Sequence, residues 1–309
     1  MFQGMHYVYE VYKEMSFSKA ARNLFISQPS LSAAVKKAEA QIGFPIFDRS
    51  SNHIQLTELG KEYIRSIEII MDVENGFQNY INDMKELKSG TIAIGGTNLF
   101  ASYVLPPLLS RFTEQYPQVQ VNLVEATTSQ LTDRLFSGSL DLLIDNKSMD
   151  PAIYQKSFFC EEHLLLAVPI RLSVNEKMKN YALTASDIRE NRHLNSRIPP
   201  VPLENFQEES FLLLKSGNDT RSRADRICHN AHVIPKIKLE LDQQITAYNL
   251  SRYGMGISFC SDTLVRHVPD DEGLVYYKLN HQDALREVNF YYKRNRYMPR
   301  IVSTFLDMI

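Results

Sequence analysis

The stretch SFSKAARNLFISQPSLSAAVKKAEAQIGFPIFDRSSNHIQLTELG, residues 16–60, carries the densest pattern in this chain of 309 residues. Ser27 suits the cap of a helix, and Pro29 falls in the first turn, where its missing N–H costs nothing. Gly43 is typical of a helix end. Between Ser27 and Gly43, apolar residues recur at helical spacing and predict one buried face, formed by Leu31, Val35 and Ala38.

Two shorter helices are predicted before this one, and a hairpin after it. Ser16 or Ser18 can cap the second helix, and the polar turn 50–53 separates two short strands within residues 44–57. The first helix has an apolar stripe of its own, made of Met5, Val8, Tyr9 and Tyr12. Three helices followed by a hairpin predict an all-α winged helix-turn-helix over residues 1–57.

In a helix-turn-helix the second helix enters the major groove with its first residues against base edges. Gln28 suits bidentate hydrogen bonding to adenine, and the Pro29 ring suits contact with a thymine methyl group. Hydroxyls and cations nearby suit phosphate or the adjacent groove: Ser27, Ser30, Ser32, Lys36, Lys37, Arg49 at the wing base and His53 at its tip. Each residue alone is common on solvated helices; the ordered set predicts binding of double-stranded DNA.

A long linker helix is predicted over residues 58–88, with Thr57 as its cap. Apolar residues repeat every seventh position for about four repeats, which favours a coiled coil: Tyr63, Ile70, Phe77 and Met84, with Leu59, Ser66, Val73, Tyr80 and Leu87 between them. A lone helix cannot bury such a seam, so a homo-dimer is expected. The alternative is that the helix packs on its own C-terminal domain.

Residues 89–309 predict an α/β domain. Strand patterns at 91–95, 119–125 and 140–144 alternate with helical patterns at 102–115 and 129–136, which favours a mostly parallel sheet. The stretch 171–205 is polar and broken by prolines, and its pattern assigns it to no element.

The N-terminal motifs resemble those of LysR-type transcriptional regulators. The matching segments run in the family's order: Ser16–Ala21, Ser27–Ser32, Glu39–Gly43, Ile46–Arg49 and Leu56–Gly60. The resemblance implies a regulator of promoter DNA, dimeric and often tetrameric, with a two-lobed C-terminal domain that holds a small-molecule effector between its lobes. It places lobe one at about 89–162 and 266–309, and lobe two at about 163–265.

Candidate effector contacts follow the predicted strands. Thr97, Asn98, Thr127 and Thr128 come after two strands, at the sheet edge where open α/β proteins bind ligands. The resemblance adds residues on lobe two: Ser210, Phe211, Asn218 and Thr220. Helix starts and hydroxyls favour an organic anion as effector; no cofactor or metal site is predicted.

Composition excludes several classes. The net charge of −2 does not by itself indicate nucleic-acid binding, and the apolar runs are too short to span a membrane. The N-terminus has no secretory pattern, so a cytoplasmic location is expected.

No catalytic motif indicates an enzyme, and a solute-binding protein would need a signal peptide. A redox-sensing regulator of the same family, using Cys228 and Cys260, remains an alternative, and RNA polymerase is a further candidate partner.

Overall fold

The structure, a computed structural model, describes residues 2–48, 54–84, 90–269 and 272–309. Its N-terminal part is a three-helix head with a short antiparallel hairpin. The elements are α1 (Met5–Glu14), α2 (Phe17–Asn23), α3 (Gln28–Ile42), β1 (Phe47–Asp48) and β2 (Gln55–Leu56). The predicted head is therefore present, and the wing tip lies outside the described residues.

Local capping explains the head's helices. The Ser16 hydroxyl accepts from the Lys19 amide at 3.3 Å and so caps α2, and Ser27 caps α3 through the Ser30 amide. Gly43 ends α3 with φ of 85°, a conformation that glycine adopts without steric cost. The predicted inner faces meet in one core, which includes Val8, Ala20, Leu31, Val35, Ala38 and Ile46.

The linker helix α4 (Glu58–Met84) packs against the head at its start and leaves an apolar face exposed further along. Tyr63 was expected in the dimer seam, but it is buried in the head's core with Ile64 and Ile67. Two other residues of the predicted seam, Val73 (69% exposed) and Phe77 (65% exposed), do face solvent. The Met84 side chain and Leu87, both part of the predicted seam, lie outside what the structure describes.

The C-terminal domain is built on one long strand shared by two sheets. Strand β6 (Tyr154–Pro169) pairs with β11 (Leu285–Lys293) over its first part and with β9 (Ile257–Ser261) and β10 (Leu274–Lys278) over its second. Its partners change between His163, which faces Leu285, and Leu164, which faces Ser261. This change marks the junction of the two lobes.

Lobe one continues from β11 in the order β5–β3–β4. Its elements are β3 (Gly90–Gly96), a π-helical turn Phe100–Val104, α5 (Leu105–Gln115), β4 (Val119–Glu125), α6 (Thr128–Ser137), β5 (Leu142–Asp145) and the terminal α12 (Arg300–Met308). Strands β3, β4 and β5 are parallel, as the alternating pattern predicted.

Lobe two continues from β9 through two parallel strands. Its other elements are α7 (Val174–Lys177), α8 (Ala185–Arg189), β7 (Ser210–Leu214), α9 (Asp219–Asn230), β8 (Lys236–Leu241), α10 (Gln244–Arg252) and α11 (Asp262–His267). The stretch 171–205, which the sequence pattern left unassigned, forms α7, α8 and short 3-10 turns that cover this lobe.

The predicted return to lobe one at residue 266 is wrong. Strand β10 pairs with residues 165–169 of β6, and Tyr276, Tyr277 and Ala284 are buried in the cores of lobe two. The chain re-enters lobe one only with β11, because β10 fills the free edge that β6 offers in the second sheet. No helix in the described ranges has the length and apolar character needed to cross a membrane.

Candidate DNA-binding surface and effector cleft

The first turn of α3 projects from the head into solvent. Ser27, Gln28, Pro29 and Ser30 are all exposed, while Leu31 is fully buried one residue later. The Ser27 and Ser30 hydroxyls lie 2.7 Å apart and hydrogen-bond to each other. The other predicted contacts lie further along the helix: Ser32 is half-buried, and Lys36 and Lys37 are exposed. This accessible helix start can enter a groove of duplex DNA.

Several motif residues turn out to hold the hairpin onto α3 and α4. The Glu39 carboxylate accepts from the Ile46 amide at 2.9 Å, and the Thr57 hydroxyl donates to the Pro45 carbonyl at 2.8 Å. A Cβ at Gly60 would stand 2.1 Å from the Ile46 carbonyl oxygen, so only glycine fits there. Arg49 and His53, the predicted wing contacts, lie outside the described residues.

The sequence did not predict the exposed aromatic ring next to α3. Phe25 is 96% exposed and adopts φ of 54° in the turn between α2 and α3. An apolar residue in a short helical unit is ordinarily assigned to the core, and no pattern around Phe25 indicated otherwise.

A cleft between the lobes lies at the carboxyl ends of the parallel strands. It is lined by six of the predicted effector residues: Thr97, Asn98, Thr127, Thr128, Asn218 and Thr220. Ser210 and Phe211, the other two predicted residues, do not line it. They begin β7, whereas the cleft lies at its far end, beside Leu214, and the Phe211 ring is buried in the lobe two core.

The side chains at the cleft walls also organise the helices that begin there. Thr127 caps α6, and the Thr128 hydroxyl donates to the Asp145 carboxylate at 2.8 Å. Asn218 caps α9 through the Thr220 amide at 2.9 Å, and the Asn98 amide donates to Glu125 at 2.8 Å. Thr127 and Asn218 therefore cap helices and line the cleft at the same time.

Arg286 is the main cleft residue that sequence reasoning missed. Its Nε donates to Glu162 at 2.6 Å, and its Nη1 donates to Asp219 at 3.0 Å and to Thr220 at 3.1 Å. Glu162 and Arg286 lie on neighbouring strands at the lobe junction, whereas Asp219 and Thr220 begin α9 of lobe two. An arginine in the same alternating register as Val288 and Phe290 of the strand LREVNFYYK was the signal that could have found it.

Negative groups outnumber positive ones on the cleft wall. Asp145, Asp219 and Asp242 line it with Arg286. Burial raises the pKa of Asp145, while hydrogen bonds from Lys147 and Thr128 act in the opposite direction. The Arg286 Nη2 group has no hydrogen-bond partner among the residues that the structure describes. The cleft can therefore offer donors from Arg286 and acceptors from its carboxylates.

The linker helix also contacts its own effector domain, as the alternative for this helix expected. Asp72 is 5% exposed and lies 2.8 Å from Lys293 Nζ and 2.6 Å from Arg296 Nε. Arg65 stacks on the Phe136 ring of α6 at 4.9 Å. Helix α6 runs from Thr128 in the cleft to Phe136 beside the linker helix, and β11 runs from Arg286 in the cleft to Lys293 beside it.

The two cysteines of the redox alternative lie on opposite faces of a sheet. Cys228 packs with Phe259 in one core of lobe two, whereas Cys260 packs with Tyr276 in another. The intervening β9 backbone keeps them from forming a disulfide, because neighbouring side chains of a strand point to opposite faces.

Comparisons with known proteins agree with this architecture. Residues 2–61 match the family model described as "Bacterial regulatory helix-turn-helix protein, lysR family", and residues 85–309 match the "LysR substrate binding domain". The chain is 28% identical over 307 residues to an uncharacterised HTH-type transcriptional regulator YcgK of Bacillus subtilis (strain 168), covering 98% of this chain and 92% of that protein. It is 24% identical over 301 residues to a probable RuBisCO transcriptional regulator of Gracilaria tenuistipitata var. liui, covering 96% and 91%.

Solved structures share the fold over the whole chain. A full-length OxyR variant from Pseudomonas aeruginosa superposes with a TM-score of 0.72 at 21% identity, covering 100% of this chain and 94% of that one. CbnR complexed with its target DNA gives a TM-score of 0.65 at 16% identity, covering 100% and 98%. The chain therefore belongs to the LysR family: it is a transcriptional regulator with a helix-turn-helix DNA-binding domain and a substrate-binding domain for small-molecule effectors.

Proposed function

We propose that this regulator binds promoter DNA through α3 and that an effector held in the cleft between the lobes changes how the DNA is bent. The exposed first turn of α3 is the observation that carries the proposal, since Gln28 stands free of the protein core there. Gln28 and Pro29 read bases, while Ser27, Ser30, Ser32, Lys36 and Lys37 contact phosphates, with Arg49 and His53 of the wing.

Two chains act together through the exposed face of α4. Ile69, Val73 and Phe77 lie one helical turn apart and are 41%, 69% and 65% exposed, which suits pairing with a second copy. Dimers join as tetramers, and each dimer reads an interrupted inverted repeat with half-sites about 34 Å apart, or a multiple of that. The effector changes the tilt between subunits and so the bend of the DNA.

Selection of bound fragments from genomic DNA, followed by footprinting, tests the DNA-binding part. The expected result is an inverted repeat with protected half-sites at that spacing. Equal recovery of all fragments at moderate salt would contradict it.

For the effector we propose a small organic anion that also carries a hydroxyl or amino group. Arg286 Nη2 and the Thr97 hydroxyl suit the anionic end, and Asp145 and Asp242, both in the cleft wall, suit the donor end. A simple dianion fits less well, because Glu162 and Asp219 already balance the Arg286 charge.

A thermal-shift screen of the full chain tests this class, with hydroxy acids and amino acids set against dicarboxylates, amines and neutral sugars. Arg286→Lys should weaken any acid that binds by about 10-fold or more, because lysine lacks the fixed fork of donors. Lys238→Ala, on the exposed strand β8, is the matched control. Stabilisation by amines alone would contradict the proposal.

We further propose that the chain works in the cytoplasm, where promoter DNA and RNA polymerase are available, and that RNA polymerase is a partner. We assign it no catalytic activity, because the polar groups of the cleft engage one another as caps and ion pairs. Turnover of any effector that stabilises the protein would overturn that assignment.

A further inference from the structure

Two imidazoles and a carboxylate come together at the junction of the lobes, outside the effector cleft. His163 is the last residue of β6 to pair with β11, His193 lies in a 3-10 turn of lobe two, and Asp262 begins α11. One nitrogen of each ring and one carboxylate oxygen all lie within 4.8 Å of one another. The residues are far apart along the chain, so no motif spacing indicated this cluster.

The donor distances suit a tetrahedral ion. His193 Nε2 lies 3.0 Å from Asp262 Oδ2, and His163 Nδ1 lies 3.7 Å from the same oxygen. Bonds of about 2.1 Å to a tetrahedral zinc ion place neighbouring donors about 3.4 Å apart, between these two distances. Small side-chain movements would bring the three atoms to a common centre.

The carboxylate is already oriented as a metal ligand would be. Asp262 Oδ1 accepts the backbone amides of His163 at 2.8 Å and Thr263 at 2.9 Å, which leaves Oδ2 to face the rings. Hydrogen bonds to the second oxygen of a ligating carboxylate hold the first in position. The Asp262 side chain is 4% exposed, so its orientation is well confined.

The His163 ring has a buried nitrogen without a hydrogen bond. Its Nδ1 has no hydrogen-bond partner in the described part of the chain, and the distance of 3.7 Å to Asp262 Oδ2 is too long for one. A buried polar atom left unpaired is costly. Coordination of an ion would satisfy this nitrogen, and the partly exposed His163 side chain leaves a path for the ion and a water ligand.

We propose that His163 Nδ1, His193 Nε2 and Asp262 Oδ2 bind a divalent transition-metal ion of the zinc class at the lobe junction. Two imidazoles exclude Mg²⁺ and Ca²⁺, which take oxygen ligands, and favour zinc and its neighbours. The bound ion would tie the junction strand β6 to α11 and to the turn that carries His193.

Arg266 is the group that opposes this binding. Its Nη2 lies 3.3 Å from Asp262 Oδ2 and 3.5 Å from His193 Nε2, so its charge repels an incoming cation. The same nitrogen donates to Asn191 at 2.7 Å, and the side chain is 28% exposed. Arg266 can therefore turn toward Asn191 when the ion enters. This gives the site a signature that adventitious zinc binding lacks: removing the charge of Arg266 should tighten it.

Zinc titration of the metal-stripped full-length chain against a chromogenic chelator tests the proposal. We expect one tight site per chain, weakened about 100-fold in His163→Ala and tightened in Arg266→Gln. His229→Ala, an exposed histidine on α9, is the matched control and should change nothing. No tight site in the wild-type chain, or equal affinity in the wild type and His163→Ala, would overturn the proposal.

A measurement on the unmodified protein covers the case in which a variant misfolds. Zinc should protect His163, whose side chain is 29% exposed, from diethyl pyrocarbonate, as peptide mass spectrometry would show, while the exposed His229 stays reactive. Equal modification of His163 with and without zinc would overturn the proposal as well.

Discussion

Asp72 of the linker helix and Arg296 of the effector domain form an ion pair at 2.6 Å, with both side chains largely buried. The Lys293 amine lies 2.8 Å from the same carboxylate, and Gly138 packs so closely that a Cβ there would stand 1.8 Å from Asp72 Oδ1. These contacts attach the linker helix to lobe one at the C-terminal ends of α6 and β11. The N-terminal ends of the same two elements carry Thr128 and Arg286, which line the cleft.

Replacing this carboxylate should destabilise the chain. Asp72→Asn leaves Lys293 and Arg296 without their shared partner, and we expect a loss of about 3 kcal/mol in unfolding free energy. Asp83→Asn is the control on the same helix, since Asp83 accepts from the Tyr297 hydroxyl at 2.7 Å and the Arg300 amide at 2.8 Å in an exposed setting; it should cost less than about 1 kcal/mol. Urea denaturation measures both, and equal losses would contradict the role given to Asp72.

The exposed face of α4 should control assembly. Phe77→Asp puts a charge into the proposed dimer seam, and we expect mostly monomer at micromolar concentration, because burying an unpaired charge is costly. Tyr253→Asp, an 81% exposed aromatic residue on lobe two, should leave assembly unchanged. Light scattering during size-exclusion chromatography gives the mass. An intact dimer in Phe77→Asp would place the interface elsewhere.

The two kinds of contact on α3 should separate in DNA binding. Gln28→Ala removes a base contact and should cost about 1–3 kcal/mol on the specific site, with little change on random DNA. Lys36→Ala removes a phosphate contact and should weaken both DNAs alike, with a shallower salt dependence. Fluorescence anisotropy at several salt concentrations measures both. Equal losses on specific and random DNA for Gln28→Ala would contradict its assignment.

The acid sensitivity of lobe two should depend on Asp283. Two hydrogen bonds from Arg226, each 2.8 Å, lower the pKa of this carboxyl group in the folded chain. The pKa of an aspartate in the unfolded chain is about 4. The stability that the Arg226–Asp283 bonds contribute is therefore present above that pH, and it is lost as the pH falls through the lower pKa of Asp283 in the folded chain.

Asp283→Asn should therefore lose less stability than the wild type between about pH 5 and pH 2. Urea midpoints over this range measure the difference. Asp225→Asn, which removes an exposed carboxylate of α9, controls for a general change in charge. Parallel wild-type and Asp283→Asn curves would contradict the prediction.

The thiols should be unreactive in the folded chain. Burial raises the pKa of Cys160 and of Cys228 to about 12, and it raises the pKa of Cys260 as well. At pH 8 only roughly one thiol in ten thousand would then be ionised, so iodoacetamide should react far more slowly than with the urea-unfolded chain. Mass spectrometry after peroxide treatment should find no Cys228–Cys260 disulfide; its presence in folded protein would revive the redox alternative.

Local chemistry was sufficient to predict the head. The caps Ser16 and Ser27, the helix end at Gly43 and the apolar spacing of α3 all act within a few residues of one another, so the chain alone specifies them. The same holds for lobe one, where strand and helix periods alternate, and for Thr127, which caps α6 and lines the cleft.

Contacts between distant segments required the tertiary structure. The periodicity of α4 placed Tyr63 and Phe77 in the same predicted seam. Packing against the head buries Tyr63, whereas Phe77 lies beyond the head and stays exposed. Arg286 meets Asp219, and His163 meets Asp262, across long separations along the chain. The hydrophobic period of a helix or strand predicts which of its faces is buried, but it does not identify the segment that packs against that face. The pairing of charges and the choice of strand edge, as for β10, depend on contacts between segments that are distant along the chain.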